Sequence, residues 1–110
     1  MVKQGDIVML NFDPQSGHEQ SGYRPALVIS NDFFNSVTNM TIVCPITKTN
    51  RPFPLHVPLD NRTTTTGVVL CEHVKAIDIK SRNYKTVDHI PDDLLNDVIN
   101  KIFSELERAI

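Results

Sequence analysis

Short runs of alternating or continuous apolar residues fill most of the chain and predict β-strands. Six such segments are bounded by Gly, Pro, Asn, Asp and Thr: Asp6–Phe12, Pro25–Ser30, Met40–Ile46, Phe53–Leu59, Gly67–His73 and Val74–Asp78. Many short strands at close spacing are typical of a small barrel or sandwich. The stretch "NDFFNSV" after the second segment predicts one short helical turn, with Asn31 or Asp32 as its cap.

The period of the apolar positions changes at Pro91. Apolar residues then recur at three- and four-residue intervals, at Leu94, Leu95, Val98, Ile99, Ile102, Phe103 and Leu106. This spacing predicts an amphipathic helix from Pro91 to about Ala109, packed across the barrel. Pro91 suits the first helical position, Asp92 and Asp93 favour the positive end of the helix dipole, and Arg108 favours the negative end. The predicted fold class is mainly β (α+β).

Composition indicates an ordinary globular chain. Its 110 residues fall within the range of one domain, 1–110, and 40% hydrophobic with 22% charged residues exclude a disordered class. No segment reaches the ~18 consecutive apolar residues of a membrane span, and the start is too short and polar for a signal peptide, so a cytoplasmic protein is expected. Cys44 and Cys71 lie in apolar runs without metal spacing, which predicts buried, reduced thiols.

Net charge at first argues against nucleic acid, because the sum is −2 and phosphate binders usually present a basic face. The acidic residues, however, are concentrated at the end of the chain. From Asp88 onward the chain holds six acids and two bases, which leaves nine bases against seven acids in the rest. The body of the protein is therefore mildly basic, which permits RNA binding without requiring it.

The connection between the first two predicted strands is unusually long. A hairpin needs only two to five residues, and this loop, within "FDPQSGHEQSGYRP", has about twice that number. His18, Glu19 and Arg24 fall within seven residues of one another and supply a potential base, a carboxylate and a permanent cation. Loops held by a rigid scaffold often carry such functional groups, although a solvated loop explains this window equally well.

Three stretches in combination resemble the MazF/PemK/Kid family of toxin endoribonucleases: "GDIVMLNFDPQSGHEQSGYRPALVIS", "VCPIT" and "TTGVVLCEHVKAID". The resemblance covers nearly the whole chain, from Gly5 through the helix. It implies an SH3-like β-barrel with a C-terminal helix and a homodimer. It also implies sequence-specific cleavage of single-stranded RNA without metal or cofactor, leaving 2′,3′-cyclic phosphate and 5′-OH ends and stopping translation and growth. A cognate MazE/PemI-like antitoxin, whose disordered tail occupies the RNA groove, is implied as partner.

The resemblance also assigns candidate catalytic residues. Arg24 in "YRPALV" matches the family's catalytic arginine, and Thr47 in "PIT" matches its catalytic threonine. The guanidinium fork and the hydroxyl suit the oxygens of a charged phosphorane. "GHEQ" resembles the plasmid-borne branch, in which the histidine at the position of His18 is implicated in cleavage, and Glu19 occurs in several branches. Without the resemblance, Arg24 reads as a surface cation, Thr47 as a turn residue and Glu19 as a brace of the loop.

The chain departs from that branch within "TTGVVLCEH". Leu70 stands where the branch carries an arginine, and Glu72 stands where it carries an aspartate, the two residues given acid and base roles. Leucine cannot donate a proton, so a mechanism that depends on this arginine is in doubt. The general base is left open among His18, Glu19 and Glu72. His18 and Glu19 are preferred because they adjoin Arg24 in sequence.

Further residues are candidates for RNA binding. The polar loop "TKTNRPF" offers Lys48 and Arg51 for phosphate and Phe53 for stacking on a base, although it reads equally well as a flexible turn. Glu72 and His73 are predicted to line the groove or the dimer seam. Lys75 is a further candidate for RNA binding, although it also fits a solvated basic face. His56 and His89 fit no metal spacing and are expected to be solvated or half-buried imidazoles, so no metal site is predicted.

One alternative function stays open at this point. A toxin of the same fold can act by binding DNA gyrase, as CcdB-like proteins do, since fold alone does not decide function. Such a protein needs neither Arg24 nor Thr47, so the pair and the "GHEQ" loop favour the nuclease. A relative that has lost its activity is a third possibility.

Overall fold

Seven β-strands and two α-helices make up the part of the chain that the computed structural model describes, residues 1–13, 17–18, 20–49 and 52–109. Two predicted site residues, Glu19 and Arg51, lie outside the described residues. The strands are β1 (Asp6–Asn11), β2 (Tyr23–Val28), β3 (Thr41–Thr47), β4 (His56–Pro58), β5 (Val68–Leu70), β6 (Lys75–Ile77) and β7 (Lys85–His89). The helices are α1 (Asp32–Thr38) and α2 (Asp92–Leu106).

The strands pair antiparallel in the order β4-β5-β3-β2-β1-β7, and β6 pairs separately with β3. This mainly β arrangement with a C-terminal helix confirms the predicted fold class. Within the described residues the end strands β4 and β7 do not pair with each other, so the sheet is open and the word barrel applies only loosely.

Both faces of the sheet are buried. Neighbouring residues of a strand point to opposite faces, so each strand contributes side chains to two cores. One core cluster, which includes Ile7, Leu27 and Cys44, packs against Leu95 and Val98 of α2. The other lies on the opposite face and consists of Val2, Val8, Leu10, Phe12, Ala26, Val28, Val43, Ile77 and Ile79. Burial on both sides explains why several strands read as continuous apolar runs.

Helix α1 is capped as predicted. The side-chain oxygen of Asn31 accepts a hydrogen bond from the backbone N–H of Phe34 at 2.8 Å, and the helix ends at Asn39, which has a left-handed φ of 57°. The helix has seven residues, whereas the sequence predicted one short turn. Asn tolerates the left-handed conformation better than most residues, so this position stops the helix.

Helix α2 is shorter than the predicted Pro91–Ala109. Pro91 is the cap rather than the first helical residue, since its ψ of 148° is extended and its carbonyl accepts the first helical bond from Leu95 N at 3.0 Å. The preceding residue is tied to the sheet by a hydrogen bond from Ile90 N to Gly5 O at 2.8 Å, which keeps the chain extended up to this point. The helix ends before Arg108, so that side chain does not face its last turn.

Two strand predictions need correction. The predicted strand Gly67–His73 stops at Leu70 and continues as a short 3₁₀ turn, Cys71–His73, because the Cys71 N–H turns to the carbonyl of Leu55, at 3.2 Å. Strand β7 was missed altogether. Its residues are mostly exposed on an edge of the sheet, so they lack the apolar alternation that signals a strand.

The loop that leads into β5 is fastened to two other elements. The Asp88 carboxylate accepts hydrogen bonds from the backbone N–H of Thr64 at 2.7 Å and of Thr65 at 3.0 Å. The Arg62 guanidinium bonds the carboxylates of both Asp60 and Asp93, the latter on α2. These contacts fix the approach of the loop to β5 and hence the position of Gly67.

Cys44 and Cys71 are free and fully buried, which confirms the prediction of reduced thiols. Burial raises the pKa of the Cys71 thiol to about 12 and also holds the pKa of Cys44 well above its usual value. A thiol that stays protonated at neutral pH is a poor nucleophile. Both side chains therefore serve the core.

Replacing Gly67 by Ala should destabilise the fold by ~2 kcal/mol or more. Gly67 has a φ of +123°, and a Cβ there would overlap the carbonyl oxygen of Thr47 and lie 2.9 Å from its carbonyl carbon. Gly22→Ala is the matched control, because Gly22 has a φ of +80° but no atom within 4 Å of a built Cβ, so it should cost only about 1 kcal/mol. Denaturant unfolding of the variants measures the difference, and equal losses would contradict the close-approach argument.

Candidate active site

A cleft of about 270 Å³ lies where the end of β1, the loop between β1 and β2 (the opening loop) and the 3₁₀ turn after β5 meet. Its apolar lining is Phe12, Pro45 and Val74. Its polar lining comes from elements far apart in sequence: His18, Gln20, Glu72, His73 and Lys75. The cleft therefore brings together an imidazole, a carboxylate and an ammonium group.

The two ends of the opening loop are tied to each other. Phe12 N donates to Gly22 O and Gly22 N donates to the Asp13 carboxylate, both at 2.9 Å. The Arg82 guanidinium adds a bond to the carbonyl of Asn11 at 2.9 Å. These bonds fix residues 12–13 and Gly22 against each other, and the exposed His18 between them lines the cleft.

Lys75 is placed by an aromatic ring. Its ammonium nitrogen lies 5.8 Å from the centroid of the Phe12 ring, which is within cation–π range. Phe12 is 1% exposed, so the ring is a fixed surface. The cation on β6 is thereby held over the floor of the cleft.

Glu72, in the 3₁₀ turn after β5, is held by a histidine from β4. His56 Nε2 lies 2.8 Å from Glu72 Oε2, and the His56 ring in turn contacts the Phe53 ring, with centroids 5.0 Å apart. The His56 side chain is 12% exposed, whereas Phe53 is 48% exposed. A series of contacts thus connects the exposed aromatic ring to the carboxylate in the cleft.

Arg24 and Thr47 lie on adjacent strands at corresponding positions. Ala26 of β2 pairs with Pro45 of β3, and two further residues along each strand bring Arg24 level with Thr47. Since alternate residues share a face, both point to the side of the sheet on which Pro45 lines the cleft. Arg24 is half-buried, and its Nε donates to the carbonyl of Ser21 at 2.8 Å, which orients the guanidinium.

The structure brings most of the predicted site residues to this region. His18, Glu72, His73 and Lys75 line the cleft, and Arg24 and Thr47 occupy the same side of the sheet. Lys48 is exposed directly after β3.

Sequence reasoning missed three lining residues and one supporting residue. Phe12, Gln20 and Pro45 line the cleft, and no local pattern marks them for that role. His56 was expected to be a solvated or half-buried imidazole, and it is the partner of Glu72, sixteen residues away. The signal that finds this pair is strand register, which places His56 opposite Leu70.

Charge around the cleft is mixed rather than uniformly basic. Lys75 and Glu72 carry opposite charges, and a second carboxylate, Glu105 on α2, lies close enough to sense the first. Burial raises the pKa of the Glu105 carboxyl, and the charge of Glu72 raises it further. Such a site can both remove and supply protons, as acid–base catalysis requires.

No three His, Cys, Asp or Glu side chains in the described part of the chain are grouped closely enough to hold a metal ion. No helix within residues 1–13, 17–18, 20–49 and 52–109 is long and apolar enough to cross a membrane.

Comparison with known proteins gives consistent matches over nearly the whole chain. The profile of a family described as "PemK-like, MazF-like toxin of type II toxin-antitoxin system" matches residues 3–105. The chain is 35% identical over 105 residues to Endoribonuclease PemK of Escherichia coli, covering 92% of this chain and 79% of that protein.

Solved structures agree with this match. The crystal structure of MazF (Form-I) from Deinococcus radiodurans aligns with a TM-score of 0.90 and 40% identity, over 96% of each chain. The MazE-MazF structure (Form-II) from the same organism aligns with a TM-score of 0.85 and 39% identity, covering 98% of this chain and 97% of that chain.

Proposed function

The chain belongs to the PemK-like, MazF-like toxin family of type II toxin–antitoxin systems, and we propose that it is an endoribonuclease that cleaves single-stranded RNA at a short sequence. The observation that carries this proposal is the cleft itself. A carboxylate, an imidazole and an ammonium group line one cavity, next to the strand ends that bear Arg24 and Thr47. The chain acts as one toxin domain, and cleaving messenger RNA in the cytoplasm stops translation and growth.

Cleavage of RNA can use the neighbouring 2′-OH as the nucleophile. The protein must then supply a base for that hydroxyl, an acid for the departing 5′ oxygen and donors for the charged phosphorane. The residues around the cleft offer each of these functions. The reaction leaves a 2′,3′-cyclic phosphate and a 5′-OH.

We assign the base to Glu72 and the acid to His18. Sequence order favoured His18 or Glu19 as the base, but the Glu72 carboxylate lines the cleft and is held in place by His56. A carboxylate is ordinarily ionised at neutral pH and ready to accept a proton, and an imidazole on the same cleft can return one. Glu19 stays a sequence prediction, because it lies outside the described residues.

Arg24 and Thr47 stabilise the phosphorane in this scheme. An arginine stays protonated at neutral pH, so Arg24 is a poor base and a good charge stabiliser. The Thr47 hydroxyl donates to another phosphate oxygen, and Lys75 adds positive charge over the floor of the cleft.

RNA extends from the cleft along exposed residues in this proposal. Lys48 neutralises phosphate, His73 contributes a half-buried lining group, and the exposed ring of Phe53 offers a surface on which a base stacks. Arg51 stays a sequence prediction for phosphate binding. The gyrase-binding alternative gains no support from the relatives reported above, which are named as an endoribonuclease and as MazF.

The proposed partners are a second copy of the chain and an antitoxin. Phe103 and Leu106 of α2 are 64% and 73% exposed, and apolar patches of this kind often mark association surfaces. We assign this patch to association with the second copy. A MazE-MazF structure is among the similar structures, and a MazE/PemI-like protein is proposed as the antitoxin. A disordered tail with acidic and apolar residues would suit the mixed cleft.

RNA cleavage by the purified protein should persist in excess EDTA and produce 2′,3′-cyclic phosphate and 5′-OH ends. The reason is that the acid, the base and the charge donors of the proposed scheme are all side chains. End-group analysis of the cut RNA, with and without chelator, measures both features. Recovery of 5′-phosphate ends, or loss of cleavage on chelation, would contradict the scheme.

The pH–rate profile should separate the roles within the site. His18→Ala should remove the limb on the alkaline side, where the acid loses its proton, and Glu72→Gln should remove the limb on the acidic side. Arg24→Ala and Thr47→Ala should lower the whole profile by ~10² to 10³ without moving either limb. Thr47→Ser, which keeps the hydroxyl, is the matched control and should stay close to wild type.

Circular dichroism establishes that each of these variants is folded. Loss of the acidic limb in His18→Ala would reverse the assigned roles and make His18 the base. An Arg24→Ala protein that cuts RNA at close to the original rate would overturn the assignment of Arg24.

Co-expression with the product of the gene immediately upstream should relieve growth arrest caused by this chain. The expected product is an antitoxin whose tail occupies the cleft. Colony counts with and without co-expression, together with RNA cleavage by the purified pair, measure the effect. Persistent growth arrest, although the product of the upstream gene is well expressed, would show that this gene does not encode the antitoxin.

A further inference from the structure

The His56–Glu72 pair joins two elements that are adjacent in the sheet and distant in sequence. His56 lies on β4, opposite Leu70 of β5, and Glu72 follows in the 3₁₀ turn. The His56 Nε2 to Glu72 Oε2 distance is 2.8 Å, and the side chains are 12% and 30% exposed. The contact is therefore more sheltered than an ordinary surface ion pair.

The chemistry of the contact fixes the direction of the hydrogen bond. An ionised carboxylate can only accept, so the proton lies on Nε2 and the imidazole donates. A donor to the charged form stabilises that form. Contact with the Phe53 ring restrains the imidazole, so the Glu72 carboxylate is bound to a donor whose own orientation is limited.

Other charged or titratable groups lie around Glu72. His18, His73 and Lys75 line the same cleft. Glu105 on α2 lies close enough for the charge of Glu72 to raise the pKa of the Glu105 carboxyl. Among the described residues, His56 is the one that bonds the Glu72 carboxylate directly.

We propose that His56 is a positioning residue for RNA cleavage, which orients the Glu72 carboxylate in the cleft by donating a hydrogen bond to it. This inference rests on the proposed function, in which Glu72 accepts the proton of the 2′-OH. The donor to Glu72 therefore comes from β4. Leu70, which lies opposite His56 on β5, has no polar group in its side chain. His56 does not line the cleft and acts through Glu72.

His56→Phe and His56→Gln test the proposal. Phe keeps a ring against Phe53 but removes the donor, and it should lower kcat roughly ten-fold with little change in KM. The loss should fall on kcat, because Glu72 acts on the reacting 2′-OH rather than on the binding of RNA. Gln retains an N–H near the position of Nε2 and should restore most of kcat.

Coupling to Glu72 separates a positioning role from a structural one. In a Glu72→Gln background, His56→Phe should cause no further loss of rate, because the group through which it acts is already altered. His89→Phe is the matched control: His89 contacts the Asp6 carboxylate at 3.1 Å, away from the cleft, and its loss should leave kcat unchanged.

Each outcome bears on one hypothesis. A wild-type protein that does not cut RNA would overturn the proposed function, whatever the variants do. An active wild type with an unchanged kcat in folded His56→Phe, or with fully additive losses in the double variant, would overturn the role of His56 alone. If His56→Phe does not fold, His56→Asn replaces it, since Asn is too short to reach the carboxylate and predicts the same loss.

Discussion

The pairing of β3 with three other strands is the constraint on which the rest of the structure depends. This strand bonds β2 along residues 43–45, β6 along residues 41–43 and β5 along residues 46–47. Residues 41–46 are almost entirely buried, so the strand cannot shift without exposing apolar surface on both faces. Pro45 in the cleft and Thr47 at the strand end are therefore placed by the core itself.

Close backbone contact extends this constraint to the next strand. Gly67 enters β5 beside the carbonyl of Thr47, at a separation that leaves no room for a side chain. The loop before it is fastened by Asp88 and Arg62 to β7 and α2. The 3₁₀ turn that carries Glu72 follows directly from β5, so the carboxylate in the cleft depends on the same anchoring.

In the proposed function, opposite charges in one cleft allow a chain with a net charge of −2 to act on RNA. The site does not rely on a large basic face. It has one ammonium group held over an aromatic ring, one carboxylate held by an imidazole, and a guanidinium on the neighbouring strand end. Local placement of a few groups matters more for proton transfer and phosphorane stabilisation than the total charge does.

Local sequence determined the positions of six strands and both helices, because apolar period and capping residues act over a few neighbouring positions. The motifs around Arg24 and Thr47 also identified the family before any geometry was known. The edge strand β7 was not predicted, because it is a strand through its pairing with β1 and not through apolar alternation. The end of β5 at Leu70 was likewise set by a hydrogen bond to a distant carbonyl. The His56–Glu72 pair was decided only by tertiary structure. Its members are sixteen residues apart, and only the register of β4 against β5 brings them together, because hydrogen-bonded strands impose contacts that no local period records.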